Sequence, residues 1–149
     1  MSDFSTVFKA CESNDVEKIE ELLKYKTDIL SVNHIEDGAT PLHVASQFGS
    51  ISVARLLIQA GASPSAQNNL GQRSLHLAID DIETMELLLA HGASIDDIDN
   101  DGDSPLLVAC SVENLESAIF LITRGANVNV QNLRLGNQND TQTLIQSLT

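Results

Sequence analysis

The 149-residue sequence contains no tryptophan, and its four phenylalanines and one tyrosine hold aromatics to 3% of the chain. Proteins that grip single-stranded nucleic acid stack bases on aromatic rings along a cationic groove. The cations are missing too, with 8 lysines and arginines against 21 aspartates and glutamates, a formal charge of −13. Such a surface repels phosphate, so nucleic acid is the first partner class excluded. Cysteine is scarce: Cys11 and Cys110 are too few and too far apart in sequence for a disulfide framework or a metal cluster, which suits a reducing compartment. No apolar run approaches the roughly 18 residues of a membrane span. The Met1-Ser2-Asp3-Phe4 start carries no basic segment leading into an apolar one. Direct membrane insertion and secretion are therefore not expected, and a cytoplasmic or nuclear location is.

What is present is a hydrophobic fraction of 42% on a single-domain length, enough for one continuous core. The chain also matches itself. Asp37-Gly38-Ala39-Thr40-Pro41-Leu42-His43-Val44-Ala45 recurs as Leu70-Gly71-Gln72-Arg73-Ser74-Leu75-His76-Leu77-Ala78 and as Asp101-Gly102-Asp103-Ser104-Pro105-Leu106-Leu107-Val108-Ala109. The glycines of these blocks stand 33 and 31 residues apart, a period that signals a repeat architecture. Behind each block comes an apolar run closed by glycine, at Leu56 to Gly61, Leu87 to Gly92 and Phe120 to Gly125.

Each half has a mechanical meaning. Gly38, Gly71 and Gly102 fall in polar stretches where a tight turn needs positive φ, and Thr40 or Ser104 can cap the helix that follows. Pro41 and Pro105 then occupy the first helical position, where a missing N–H costs nothing. The second run is apolar at helical spacing, as in Ile51, Ala54, Leu57 and Ile58, and ends on a glycine suited to a left-handed cap.

Gly38-Ala39-Thr40-Pro41-Leu42-His43-Val44-Ala45 followed by Leu56-Leu57-Ile58-Gln59-Ala60-Gly61-Ala62 resembles an ankyrin repeat. The resemblance covers approximately residues 4–34, 35–67, 68–98 and 99–131, the first unit being weakest. It implies an all-α fold, a solenoid of stacked helix-turn-helix units with projecting turns, each unit touching only its neighbours. Residues 132–149 read as an Asn-rich loop plus a partial fifth repeat or C-terminal cap, with Thr141 to Leu148 imitating a first helix. The chain is thus either the front part of a longer solenoid or a unit that ends in its own cap.

The departures carry as much information. The first unit has Lys26 where the others have the closing glycine, and a longer loop over Asp28 to Glu36. The third unit lacks two residues around Asp80-Asp81-Ile82. A two-residue deletion inside a helix would rotate its face by about 200°, yet the second helix keeps its apolar stripe. The first helix of that unit must therefore be shortened, or the turn after it rebuilt.

Little here points to catalysis. His43 and His76 share one repeat position with no converging partners, and are expected to be part-buried imidazoles that hydrogen-bond between adjacent units; no cofactor is expected. Cys11 and Cys110 also share a position, three steps of about 10 Å apart, so about 30 Å separates them, far beyond the roughly 7 Å limit for a bridge. Asp97, Asp99 and Asp101 before Gly102 match the first half of a calcium loop, but its bidentate glutamate would fall at Val108. That segment is expected to be a solvated turn, with weak cation binding as the alternative.

Function must then lie in the surface. Between Arg73 and Arg124 there are no lysines or arginines, while eleven acidic residues fall there, from Asp80 to Glu116. Ankyrin-like domains bind through turn tips and the exposed edges of first helices, so the resemblance implies Glu36, Asp37, Ala39, Gln47 and Phe48 in the second unit. It adds Asn69, Leu70, Gln72, Asp80 and Asp81 in the third, and Asn100, Asp101, Asp103, Ser111 and Val112 in the fourth. Phe48 is either an exposed anchor, flanked by Leu70 and Val112, or a core residue. The expected function is a monomeric, non-enzymatic interaction module or adaptor for a basic protein or peptide. One alternative is a kinase inhibitor: the shortened unit resembles that of the ankyrin-type inhibitors of cyclin-dependent kinases, although there it is the second repeat and here the third. Another is an N-terminal targeting domain of a longer enzyme or membrane protein.

Overall fold

The computed structural model of the protein describes residues 4–25, 27–34, 36–129 and 145–146. Among these residues it is all-helical, with eight α-helices in four antiparallel pairs: α1 Phe4–Glu12 with α2 Val16–Tyr25, α3 Pro41–Gln47 with α4 Ile51–Gln59, α5 Ser74–Leu77 with α6 Ile82–Ala90, and α7 Pro105–Ser111 with α8 Leu115–Thr123. The first helices pack in one row, α1 on α3, α3 on α5 and α5 on α7, while α2, α4 and α6 form a second row behind. The core runs continuously between the rows. Leu42, Leu75 and Leu106 line its inner layer and Leu57, Leu88 and Leu121 its outer one, with a buried alanine at Ala45, Ala78 and Ala109 letting neighbouring helices approach.

The helix starts follow from their sequences. His43 N–H donates to Thr40 Oγ1 at 3.4 Å and Leu107 N–H to Ser104 Oγ at 3.3 Å, with Pro41 and Pro105 at the first helical position. Third-unit Arg73 stands where Thr40 and Ser104 stand. Lacking a capping oxygen, it sends its guanidinium outward to Asp97 Oδ2 at 2.8 Å and to the Ile98 carbonyl at 3.1 Å. Ser74 replaces the proline, and its hydroxyl is buried without a hydrogen-bond partner among the described residues. Ser74→Pro is therefore expected to stabilise the protein by about 1 kcal/mol, roughly 3 °C in Tm, by fixing φ and removing an unpaired polar atom. Arg73, at φ −103 and ψ 167, already has the extended conformation a following proline requires. A melting curve monitored by circular dichroism checks this, and an unchanged or lower Tm would refute it.

The missing residues of the third unit come out of its first helix. α5 spans four residues where α3 and α7 span seven, whereas α6 keeps the nine of α4 and α8. The outer helix cannot absorb the loss, because Met85 and Leu88 must keep facing the core. The loop after α2 is more ordered than its composition suggests: Thr27–Ser31 forms a 3₁₀ turn that inserts Ile29 into the core. Of the segment that imitates a fifth unit, Ile145 and Gln146 are helical and Ile145 is buried in the same core. The rest of that segment, like the preceding Asn-rich stretch, lies outside the described residues.

Candidate functional site

Two surfaces follow from this stacking, one at each end of the first helices. The tips are built by side chains that imitate backbone. Asn68 Oδ1 accepts from the N–H groups of Leu70 and Gln72, both at 3.0 Å, and an Asp99 carboxylate oxygen accepts from those of Asp101 and Asp103, both at 2.9 Å. Successive tips are then joined. Asn69 N–H donates to the Asp37 carbonyl at 2.8 Å, Asn100 N–H to the Leu70 carbonyl at 3.0 Å, and Asn100 Nδ2 to the Asn69 carbonyl at 3.1 Å. Beneath the tips, His43 and His76 staple unit to unit. Thr40 and Arg73 N–H groups donate to the two Nδ1 atoms at 3.0 and 3.1 Å, so the proton of each neutral imidazole is on Nε2. Those Nε2 atoms donate across the interface to the carbonyls of Gln72 at 2.9 Å and Asp103 at 3.0 Å. Burial holds both histidines below the usual imidazole value, against the partial opposition of these carbonyls.

The tips present Glu36, Asp37, Asn69, Leu70 and Asn100 to solvent, with Gln72, Asp101 and Asp103 half-buried. Ala39 does not belong to this surface; it is buried, in the core rather than on the edge, because the tip folds over it. Asp97 and Asp99 are engaged, the first by Arg73 and the second by its own turn. Among the described residues no three of His, Cys, Asp and Glu gather as a metal site.

The second surface is the row of turns between paired helices. Phe48 caps the end of α3 and is 54% exposed, and Val112 occupies the same position after α7 at 59%. Phe48 is thus a surface residue and not core. Gln47, Asp80 and Ser111 are exposed beside them, and Asp81 is half-buried, accepting from the Thr84 hydroxyl at the start of α6. Leu70 is also exposed but does not flank Phe48. It sits at a tip, before the first helix of its unit, whereas Phe48 and Val112 follow theirs, some seven residues or about 10 Å of helix away.

Exposed Leu115 and Ile119, one turn apart on α8, were not expected. The signal was available: the position of Ile119 is held by Arg55 in α4 and Glu86 in α6. Both cysteines are buried, and burial pushes the Cys11 thiol up to about 12, with Glu12 adding to it, and raises Cys110 as well. Neither forms a ready thiolate. No helix among the described residues is long and apolar enough to cross a membrane.

Comparison with known proteins agrees with this construction. The family model for ankyrin repeats (3 copies) matches residues 3–68 and 60–132. An ankyrin repeat protein of fowlpox virus (strain NVSL) is 35% identical over 105 residues, 68% of this chain and 31% of that protein. Human neurogenic locus notch homolog protein 4 is 39% identical over 83 residues, 52% of the chain and 4% of the relative. The human transient receptor potential cation channel subfamily A member 1 is 29% identical over 131 residues, 83% and 12% respectively. The chain thus spans less than a third of the length of each of these relatives. Stacked helix pairs, joined tips, the histidine staples and the matched segments lead to one conclusion: the chain belongs to the ankyrin repeat family, a non-enzymatic fold for protein–protein interaction.

Proposed function

We propose that this chain binds a protein or peptide of basic character through its tips and the row of first helices with their following turns. The observation that carries the reading is the charge distribution against the exposed apolar groups. Val112 stands in solvent within a stretch that holds no lysine or arginine from residue 74 to residue 123, and Phe48 stands in solvent on the preceding second unit, where Arg55 is the one such residue. Of the arginines bounding that stretch, Arg73 is paired with Asp97 and Arg124 with Glu86, so acid dominates what a partner meets. Apolar anchors supply affinity, and the field supplies approach rate and discrimination against acidic competitors.

The triple variant Phe48→Ala, Asp101→Lys, Asp103→Lys is expected to weaken partner capture by about 30-fold or more, the effect of losing one anchor worth about 2 kcal/mol together with reversed steering. Its circular dichroism should match that of the parent. Association of the parent should slow as salt rises. Unchanged affinity in a pull-down, with a salt-independent association rate, would remove the assignment.

A further inference from the structure

The three junctions between the described units are not equal. In the inner row α1 packs closely on α3 and α3 on α5, whereas α5 packs on α7 much less closely; in the outer row α2 on α4 and α4 on α6 are both closer than α6 on α8. The cause is the shortened helix. Leu77, the last residue of α5, corresponds to Val108, so no turn of α5 matches the end of α7 from Ala109 to Ser111. What replaces the missing packing is polar. Ser117 Oγ and Asn114 Nδ2 both donate to the Ile79 carbonyl, the latter at 3.1 Å and also to Asp80 Oδ1 at 3.2 Å, while the His76 and Asn100 bonds join the tips. Such bonds exchange one partner for water, and their net contribution is small beside that of buried apolar surface. The fourth unit itself is well made: Ser104 and Asn114 cap its helices, and α7 and α8 pack on each other as closely as any pair.

We infer that the solenoid has a built-in breaking point between its third and fourth units, at which the fourth opens as one cooperative body while the first three stay folded. In a solenoid each unit leans only on its neighbours, so opening starts at the weakest junction and stops at the next strong one. The opening itself is independent of what binds. Its consequence for binding follows from position: Asn100 and Val112 lie beyond the junction, and Phe48, Asn69 and Leu70 lie before it. A partner that touches both sides therefore holds the junction shut, and whatever opens it divides the binding surface.

The chain carries its own reporters, because Cys11 lies in the first unit and Cys110 in the fourth, both buried. Alkylation of the full chain by iodoacetamide in low urea, read at each cysteine by peptide mass spectrometry, tests the inference. Cys110 should react about 10-fold faster than Cys11 or more, at a rate that rises with urea less steeply than that of Cys11, since less surface is exposed. Ser117→Ala removes one bond across the junction and leaves the Ile79 carbonyl with Asn114, so it should speed Cys110 by about threefold or more. Ile19→Val loosens the core of the first unit; it should speed Cys11 and leave Cys110 unchanged, because that unit stays folded when the fourth opens. Equal rates, or a Cys110 rate that follows Ile19→Val, would mean that the chain opens only as a whole, and a faster Cys11 that the first junction yields first. A Cys110 rate independent of urea would place the reaction on the folded surface, and one indifferent to Ser117→Ala would place the opening inside the fourth unit. Each of these results overturns the breaking point.

Discussion

Gly71→Ala is expected to cost the solenoid about 3–4 kcal/mol, and Gly61→Ala only about 1–2 kcal/mol, although both glycines sit at positive φ, 73 and 104. The shared part of the cost is the strain of an L-residue in that region. The difference is a collision. A Cβ on Gly61 meets nothing within 4 Å, whereas one on Gly71 would fall onto the Asn100 carboxamide and 2.9 Å from the Asn100 backbone nitrogen. The carboxamide can swing aside, but the backbone nitrogen is held by its bond to the Leu70 carbonyl. Relief requires the fourth tip to lift from the third, giving up that bond and the one from Asn100 Nδ2 to Asn69, at about 1 kcal/mol each. Guanidinium denaturation of both variants measures the gap. Equal losses would mean that the tips yield at no cost and that their joining contributes nothing to stability.

The same glycine shows how far the sequence could be read. Its need for positive φ was legible, because a lone glycine in a polar stretch at a fixed period has few other purposes. What presses on it was not: Asn69 and Asn100 look like exposed tip residues open to a partner, and only the stacking reveals that each covers the glycine of the preceding unit. The shortened first helix of the third unit was legible for a similar reason, since the apolar stripe of α6 left no other place for the loss. Whether Phe48 faced water was open in sequence, because a phenylalanine at a helix end fits either environment. Ala39 and Leu70 were misplaced on the same ground: periodicity assigns a residue to a turn without saying which side of the turn it occupies.

Replacing both staples, in the double variant His43→Leu and His76→Leu, is expected to cost about 3 kcal/mol or more at pH 7.5 and progressively less as the pH falls. Leucine is a native solution at this position, since Leu107 holds it in the fourth unit. At pH 7.5 the loss comes from Thr40 and Arg73 N–H groups left without Nδ1 acceptors, and from the two inter-unit bonds to Gln72 and Asp103. An unfolded imidazole titrates near 6.5; in the folded chain burial, the largest influence, holds both below that, with Asp37 drawing His43 back up and Asp99 doing so for His76. Protonation would also put a hydrogen on each Nδ1, facing a backbone N–H that donates there. Below about pH 6.5 the unfolded chain therefore binds more protons than the folded one, so the stability from the histidines is fully present above that value and is lost as the pH falls through the lowered ones. Each histidine contributes a slope of up to about 1.4 kcal/mol per pH unit in that window. The general relief of acidic self-repulsion on acidification acts on parent and variant alike, so the difference between their unfolding free energies isolates the staples. That difference should shrink steadily from pH 7.5 to pH 5.5. A constant difference would show that the imidazoles keep their bonds when charged, and that the repeats are joined by packing and the tip ladder alone.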